Sequence, residues 1–327
     1  NEQFRTIGDY NIINSKPLIK QDDCTYILFQ HYGLLEAAYE SPFYWFLEDK
    51  TYKNKANRNR GNFTEDFSYE ILSNIFGEKN IFKNIDIFNN KTKVGEIDVL
   101  VVFANRAIIL QAKSKKLRLE SRKGNDNLLA EDFKKAIQDS YDQGLSCAKL
   151  IQEEKYKLLD ASKNELTIRN DFKEIYIFCV VSDHYPNLTF QTRQFLKFEE
   201  NKKIKPPFVM DIFLLNIMSE MLSNPLYFLS YINKRTKYFK QVIAQSEYSI
   251  LSYHLKNNLY LPDDYSMMMI DDSVSSDLDL ALMVRKKGLV GKDLPEGILT
   301  KYRETIIGNF LEPVSYTHLT LPTKRIV

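Results

Sequence analysis

The stretch Gly95 to Lys113, GEIDVLVVFANRAIILQAK, restricts the fold of this 327-residue chain more than any other. Ile97, Val99, Leu100, Val101, Val102 and Phe103, then Ala107, Ile108, Ile109 and Leu110, form β-branched-rich runs too brief for helices, so both read as strands. Ala104-Asn105-Arg106 is the turn between them. In an antiparallel pair the start of the first strand lies beside the end of the second, which brings Glu96 and Asp98 close to Gln111 and Lys113. Alternation sets Glu96 and Asp98 on one face, and Gln111 and Lys113 likewise share a face. Desolvating such groups is costly unless they are paired or bind a metal. A hairpin end that leaves its polar residues in water would show the same spacing, so both readings stand at this point.

The rest of the chain bounds the setting. A hydrophobic content of 44% supplies ample core for two or three domains. The longest apolar run, Phe208 to Leu222, is interrupted by Asp211, Asn216 and Glu220 and is shorter than the roughly 20 residues of a membrane span. No membrane segment is expected. Cys24, Cys147 and Cys179 are scattered thiols without C-x-x-C spacing, which argues for a reducing compartment, the cytoplasm by default. The chain starts at Asn1 without methionine, and PLIKQDDCTYILF reads as a hairpin belonging to an upstream region, so a truncated N-terminus is expected. The last 14 residues, VSYTHLTLPTKRIV from Val314, resemble an in-frame translation of a sequencing adapter and are set aside. Without Lys324 and Arg325 the formal charge falls from +2 to zero, so any attraction for nucleic acid has to be local.

Along the chain, GLLEAAYESPFYWFLED reads as a helix interrupted at Pro42, and the basic, Asn-rich Lys50 to Asn62 as a linker or loop. FTEDFSYEILSNIF follows as a helix with an apolar stripe of Phe63, Phe67, Leu72, Ile75 and Phe76, stopped by Gly77. NIFKNIDIF is a strand, then comes the hairpin, then the helix LAEDFKKAIQDSYDQGLSCAKLI and the strand EIYIFCVVSD. The order is α-β-β-β-α-β. Beyond Asp183 the chain reads as mainly helical and carries no legible chemistry. The fold class expected is α/β, a mixed sheet with a helical C-terminal region.

A helix acid, a G-E-I-D strand and a Q-A-K strand in this order resemble the PD-(D/E)XK nuclease superfamily, in its Mrr-like and nuclease-related-domain branch, over about Arg60 to Asp183. The resemblance implies a restriction-endonuclease-like core. It implies that Asp98 and the residue at Gln111 bind one or two divalent metals, Mg2+ or Mn2+, and that Lys113 helps activate water. Gln111 departs from the commoner carboxylate, although a Q-x-K form recurs in the Mrr-like branch.

Chemistry gives the same residue types a task. Phosphodiester hydrolysis needs charge stabilised on phosphoryl oxygens, a positioned water and a leaving oxygen that tolerates its charge, and magnesium serves all three through hard oxygen ligands. Asp98 supplies a carboxylate, Gln111 its amide oxygen, and the Ala112 carbonyl is a further candidate. Lys113 orients or deprotonates the water, or neutralises the phosphate. A neutral Gln leaves room for another acid. Glu65, seven residues before Leu72, shares the core-facing side of its helix, whereas Glu70 falls on the polar side. Glu65 also follows RGNF, where the resembled family places a helix glutamate. As a first-turn carboxylate it would equally suit the helix dipole. Glu96 is a weaker metal candidate.

Beside this cluster Lys113 to Lys123 carries six bases against one acid. Lys115, Lys116, Arg118, Arg122 and Lys123 are therefore candidates for DNA phosphates. Gln138 is a weak DNA-contact candidate from a loose Gln-x-x-x-Tyr likeness. His31, His184 and His254 read as packed or exposed, and DDSVSSDLD from Asp271 as a polar loop.

The expected organisation is an upstream remnant over 1–55, a nuclease-like domain over 56–183, a helical region of unknown role over 184–313 and an artefactual tail over 314–327. The expected function is a metal-dependent DNA nuclease, an endonuclease by preference, with DNA as partner and no small-molecule cofactor. The rival is a catalytically inactive nuclease-like module that binds DNA or serves as a scaffold.

Overall fold

The computed structural model describes residues 5, 11–114, 126–183, 188–199 and 201–309. A short antiparallel hairpin, β1 (Leu18–Lys20) with β2 (Tyr26–Leu28), precedes helices α1 (His31–Glu48) and α2 (Lys53–Phe76). Strands β3 (Ile81–Asn89), β4 (Thr92–Phe103) and β5 (Arg106–Lys113) follow as a meander. Helix α3 (Asp126–Phe133) passes through a π-helical turn, Lys134–Gln138, into α4 (Asp139–Leu150). The short strands β6 (Lys157–Leu159) and β7 (Glu165–Leu166) and the long β8 (Glu174–Val181) lead to α5 (Leu188–Phe195) and β9 (Phe208–Asp211). Across the sheet the order is β7-β6-β3-β4-β5-β8-β9, antiparallel as far as β5 and parallel from β5 through β8 to β9. This is a mixed α/β fold with a seven-stranded sheet.

The central strands are rich in Val, Ile and Phe because both faces are covered. On one face Val99, Val101, Ile108, Leu110, Phe178 and Val180 pack against Ile71, Leu72 and Ile75 of α2. On the other, Ile97, Ala107, Ile109 and Ile177 meet Ile137, Tyr141 and Ala148 around α4. The α2-side core runs on into α6 (Ile212–Met221), α7 (Pro225–Lys237) and α8 (Glu247–Asn257), through Leu215, Met218, Phe228, Ile232 and Leu251. Thus one core draws both on the strands up to Val180 and on the chain from Phe208 onward. A two-stranded parallel sheet, β10 (Val242–Ala244) with β11 (Met268–Ile270), and helices α9 (Ser276–Lys287) and α10 (Ile298–Arg303) complete the described chain. Among the described residues no helix is long and apolar enough to cross a membrane.

Several local expectations are corrected. The basic segment Lys50 to Asn62 is not a loop: from Lys53 it forms the first half of α2. Tertiary anchoring outweighs its Asn-rich composition, since Ala56 is buried, Asp49 Oδ1 accepts the amide hydrogens of Thr51 and Tyr52, and Arg60 is pinned to Asp183. Helix α1 runs unbroken through Pro42. Arg106 already pairs with Phe103, so the turn is Ala104-Asn105, with Ala104 at φ 51°. Phe208–Asp211, inside the run read as helix, is an edge strand that ends where Asp211 caps α6 through the Leu214 N–H. Strands β6 and β7 carried too few residues for a pattern to be read.

Strict alternation fails at Asp98. Ile97 packs on the α4 side and Val99 on the α2 side, although both keep register with β3 through Ile85 and Lys83. Opposite Asp98 stands Asn84, at φ 52°. A left-handed residue there lets the paired strands exchange faces without losing register, so Glu96 and Asp98 do not simply share a face.

Candidate functional site

The site lies at the open end of the β4–β5 hairpin. Backbone pairing runs from Phe103–Arg106 to Val99–Leu110 and stops. Beyond that rung side chains tie the strands together. Asp98 Oδ2 accepts the Ala112 N–H at 2.7 Å, and Gln111 Nε2 donates to the Glu96 carbonyl at 2.8 Å. β5 continues alongside β8 as far as Lys113–Val181. The result is a fork between β4 and β5, lined by Asp98, Gln111 and the peptide of Ala112.

Helix α4 closes one side of the fork. Gln143 Oε1 accepts a hydrogen bond from Lys113 Nζ at 3.0 Å, while its Nε2 donates to the Glu96 carbonyl at 3.2 Å. Cys147 Sγ–H reaches the same carbonyl at 3.3 Å, and Ser140 Oγ donates to the Gln111 carbonyl at 3.2 Å. The Glu96 carbonyl thus gathers donors from β5 and from two turns of α4. Gly144 permits this approach: a Cβ there would stand 2.7 Å from Ile177 Cγ2 and 3.6 Å from Gln111 Cγ.

Helix α2 passes the other side. A Cβ on Gly61 would lie 3.8 Å from Ser114 Oγ, so the helix crosses just past Lys113. It is fixed there by the part-buried Arg60–Asp183 ion pair, with the Arg60 guanidinium 4.5 Å from the centre of the Phe43 ring. Tyr39 adds a hydrogen bond from its hydroxyl to the Ser182 carbonyl at 2.9 Å, and the Ser182 N–H donates to the Lys113 carbonyl at 3.1 Å. One turn further along α2, Glu65 is half-buried, whereas Glu70 is exposed.

The charges in this space press on one another. Burial pushes the Asp98 carboxyl above its ordinary range and the Glu96 charge adds to this, while the Ala112 N–H and Lys113 pull the other way. Burial also raises Glu65, with Asp98 as the next cause and Lys83 and Lys113 opposing. Burial pushes the Cys147 thiol up to about 11, so it stands as a neutral donor at the Glu96 carbonyl rather than as a nucleophile.

Of the sequence candidates, Glu65, Asp98, Gln111 and Lys113 are brought to the fork. Glu96 contributes its carbonyl, but its carboxylate is exposed and paired with Lys93 at 2.6 Å. Gln138 is engaged elsewhere: its amide brackets the Lys197 backbone, accepting from the N–H at 2.9 Å and donating to the carbonyl at 2.8 Å. Lys115, Lys116, Arg118, Arg122 and Lys123 lie outside the described residues, as do His184 and the tail from Val314. The acids after Asp271 are individually occupied, with Asp272 accepting from Ser249, Asp277 paired with Lys256 and Asp279 accepting from Tyr248. His254 is buried against Tyr231, which pushes its pKa down to about 3. Sequence reasoning gave Gln143 no role and did not foresee the use of the Glu96 carbonyl. A glycine inside the α4 pattern, Gly144, was the one available signal of close packing.

For a metal, the donor chemistry is suitable. Gln111 Oε1 is buried without a hydrogen-bond partner among the described residues, and Asp98 Oδ1 receives none there. With Glu65 they form a set of oxygen donors, the kind a hard divalent cation takes. Among the described residues no group of three or more His, Cys, Asp or Glu side chains is arranged to hold a metal.

Comparison with known families places a description on this segment. Residues 60–184 match the family model of the nuclease-related domain, consistent with the nuclease-related branch of the PD-(D/E)XK superfamily. No curated protein and no solved structure matches the chain.

Proposed function

We propose that the nuclease-related segment hydrolyses DNA phosphodiester bonds with the help of a divalent metal, Mg2+ or Mn2+. The observation that supports this best is the fork itself, where Asp98, Gln111 and Lys113 meet beside the half-buried Glu65 at a point where the backbone ladder has been opened. When bound, the cation would draw charge from the phosphoryl oxygens and acidify a water. Asp98 and Glu65 would hold it with charged oxygens, and the cation would offset the burial that raises both carboxyls and the Asp98 charge that adds to it at Glu65. Gln111 would add its partnerless amide oxygen. Lys113, steadied by Gln143, would orient the attacking water or neutralise the phosphate it approaches. Cys147 and Cys179 are buried free thiols, which supports a reducing, cytoplasmic setting.

A second reading has one observation in its favour. With Gln111 neutral and Glu96 turned to Lys93, the fork gathers few acids, as a DNA-binding module without catalysis would. Cleavage of plasmid and linear DNA with Mg2+ or Mn2+, run beside Asp98→Ala, separates the two. Metal-dependent cleavage lost in the variant supports the nuclease; binding without cleavage by the folded wild type supports the module.

A further inference from the structure

We infer that the N-terminal half of α2, Lys53 to Thr64, is a rail for the phosphodiester backbone of the DNA that enters the fork. The inference rests on the nuclease reading for the identity of the strand, and on three observations for its path.

The first is direction. Viewed down α2, Glu65, Gly61, Arg58 and Asn54 fall on one stripe, because separations of three and four residues return to the same side of a helix. Glu65 is the end of that stripe at the fork, and Gly61 passes against Ser114. The stripe therefore leads out of the site, over roughly 16 Å from Glu65 to Asn54, a distance of about five base-pair steps.

The second is charge. From Lys53 to Thr64 there are four bases, four Asn and no acid. Arg60 is engaged by Asp183, but Lys53, Lys55 and Arg58 are exposed, and none has a carboxylate partner among the described residues. The nearest acids are committed: Asp49 Oδ1 caps Thr51 and Tyr52, and Asp66 pairs with Lys83. The N-terminal dipole of α2 adds to the positive end of the rail.

The third is rigidity. A surface helix with no acid on its own turns and four Asn would not persist alone, yet this one buries Ala56, lies against α1 and sets Arg60 on Phe43. Cations on a fixed helix meet a regular polyanion with less loss of freedom than cations on a loop. The Asn side chains add donors suited to phosphate oxygens.

The test uses the full chain and a labelled 30-base-pair duplex (about three helical turns, so that the rail is spanned). Lys53→Glu, Lys55→Glu and Arg58→Glu are combined; acids near a helix N-terminus favour the helix, so the fold is expected to survive, and circular dichroism checks it. The expected result is binding weakened more than tenfold at low salt, with the slope of log K against log salt reduced by about two to three. The Gln versions should lose about half as much. A photocrosslinker at Asn54 should label the duplex about five base pairs from the fork-proximal phosphate. An unchanged slope in the triple variant, or no crosslink at Asn54, overturns the rail even if cleavage proceeds. If the wild type binds but never cuts, while the triple variant loses binding, the rail stands and the nuclease reading falls. Failure of the wild type to bind DNA overturns both.

Discussion

Asp98 takes the place of a backbone carbonyl: its Oδ2 accepts the Ala112 N–H at 2.7 Å, just past the last backbone rung at Val99–Leu110. A carboxylate is thereby held in the plane of the sheet, buried, and above its ordinary pKa. An acid raised in the folded state takes up a proton there before the unfolded chain does. Stability then falls as pH rises from the ordinary value of 3.8 through the folded value, and stays lower above it.

Asp98→Asn keeps an acceptor for Ala112 and removes the buried charge. At pH 7 it should melt higher than wild type, by on the order of 1 kcal/mol, while cleavage is lost. Asp98→Ala leaves a buried N–H unpaired and should be less stable than Asp98→Asn by about 1–3 kcal/mol. Thermal melts across pH check this; an Asn variant no more stable than wild type at neutral pH would contradict the burial argument.

Gln143 accepts a hydrogen bond from the Lys113 ammonium at 3.0 Å, so Gln143→Ala should free it. Single-turnover cleavage is expected to slow by about tenfold or more, with DNA affinity nearly unchanged, because the charge remains and only its position is lost. A fall in affinity with an intact rate would give Gln143 a role in binding instead.

Gln111→Glu exchanges the amide donor at the Glu96 carbonyl for a carboxylate. Without metal this variant should lose on the order of 3 kcal/mol, since it buries a charge against a carbonyl oxygen. With magnesium at one hundred times its dissociation constant this variant should gain about 2.7 kcal/mol over its metal-free form, and at that same concentration the more weakly binding wild type should gain less. Equal, metal-independent melting of both proteins would remove Gln111 from any cation site.

Gly144→Ala pits helix propensity against space. Alanine would favour α4 by roughly 1 kcal/mol. Its methyl, however, meets Ile177 Cγ2 at 2.7 Å, and relief requires moving α4 off β8 at a cost of about 1–3 kcal/mol. Net destabilisation with slower cleavage is expected, because Ser140 and Gln143 move with the helix. A variant that is more stable and equally fast would show that Ile177 yields freely.

The sequence by itself determined the hairpin and its neighbours. Short Val-, Ile- and Phe-rich runs can be buried on both faces only as strands, and the apolar stripe with Gly77 at its end can only close a helix. The order of elements then brought Asp98, Gln111 and Lys113 to one end of one hairpin, and the helix stripe favoured Glu65 over Glu70. Local pattern was silent or misleading where partners lie far away in the chain. Nothing near Lys50 to Asn62 says helix; Arg60 finds its partner at Asp183, and that long-range pair orders the segment. Nothing near Phe208 says strand, because an edge strand is decided by the β8 backbone beside it. Only the tertiary structure showed that Glu96 acts through its carbonyl, that Gln143 tethers Lys113, and that the alternation of β4 breaks opposite Asn84. The first two depend on hydrogen-bond geometry between groups 15 to 51 residues apart, and such bonds leave no period in a sequence because each satisfies one particular atom rather than a repeating face.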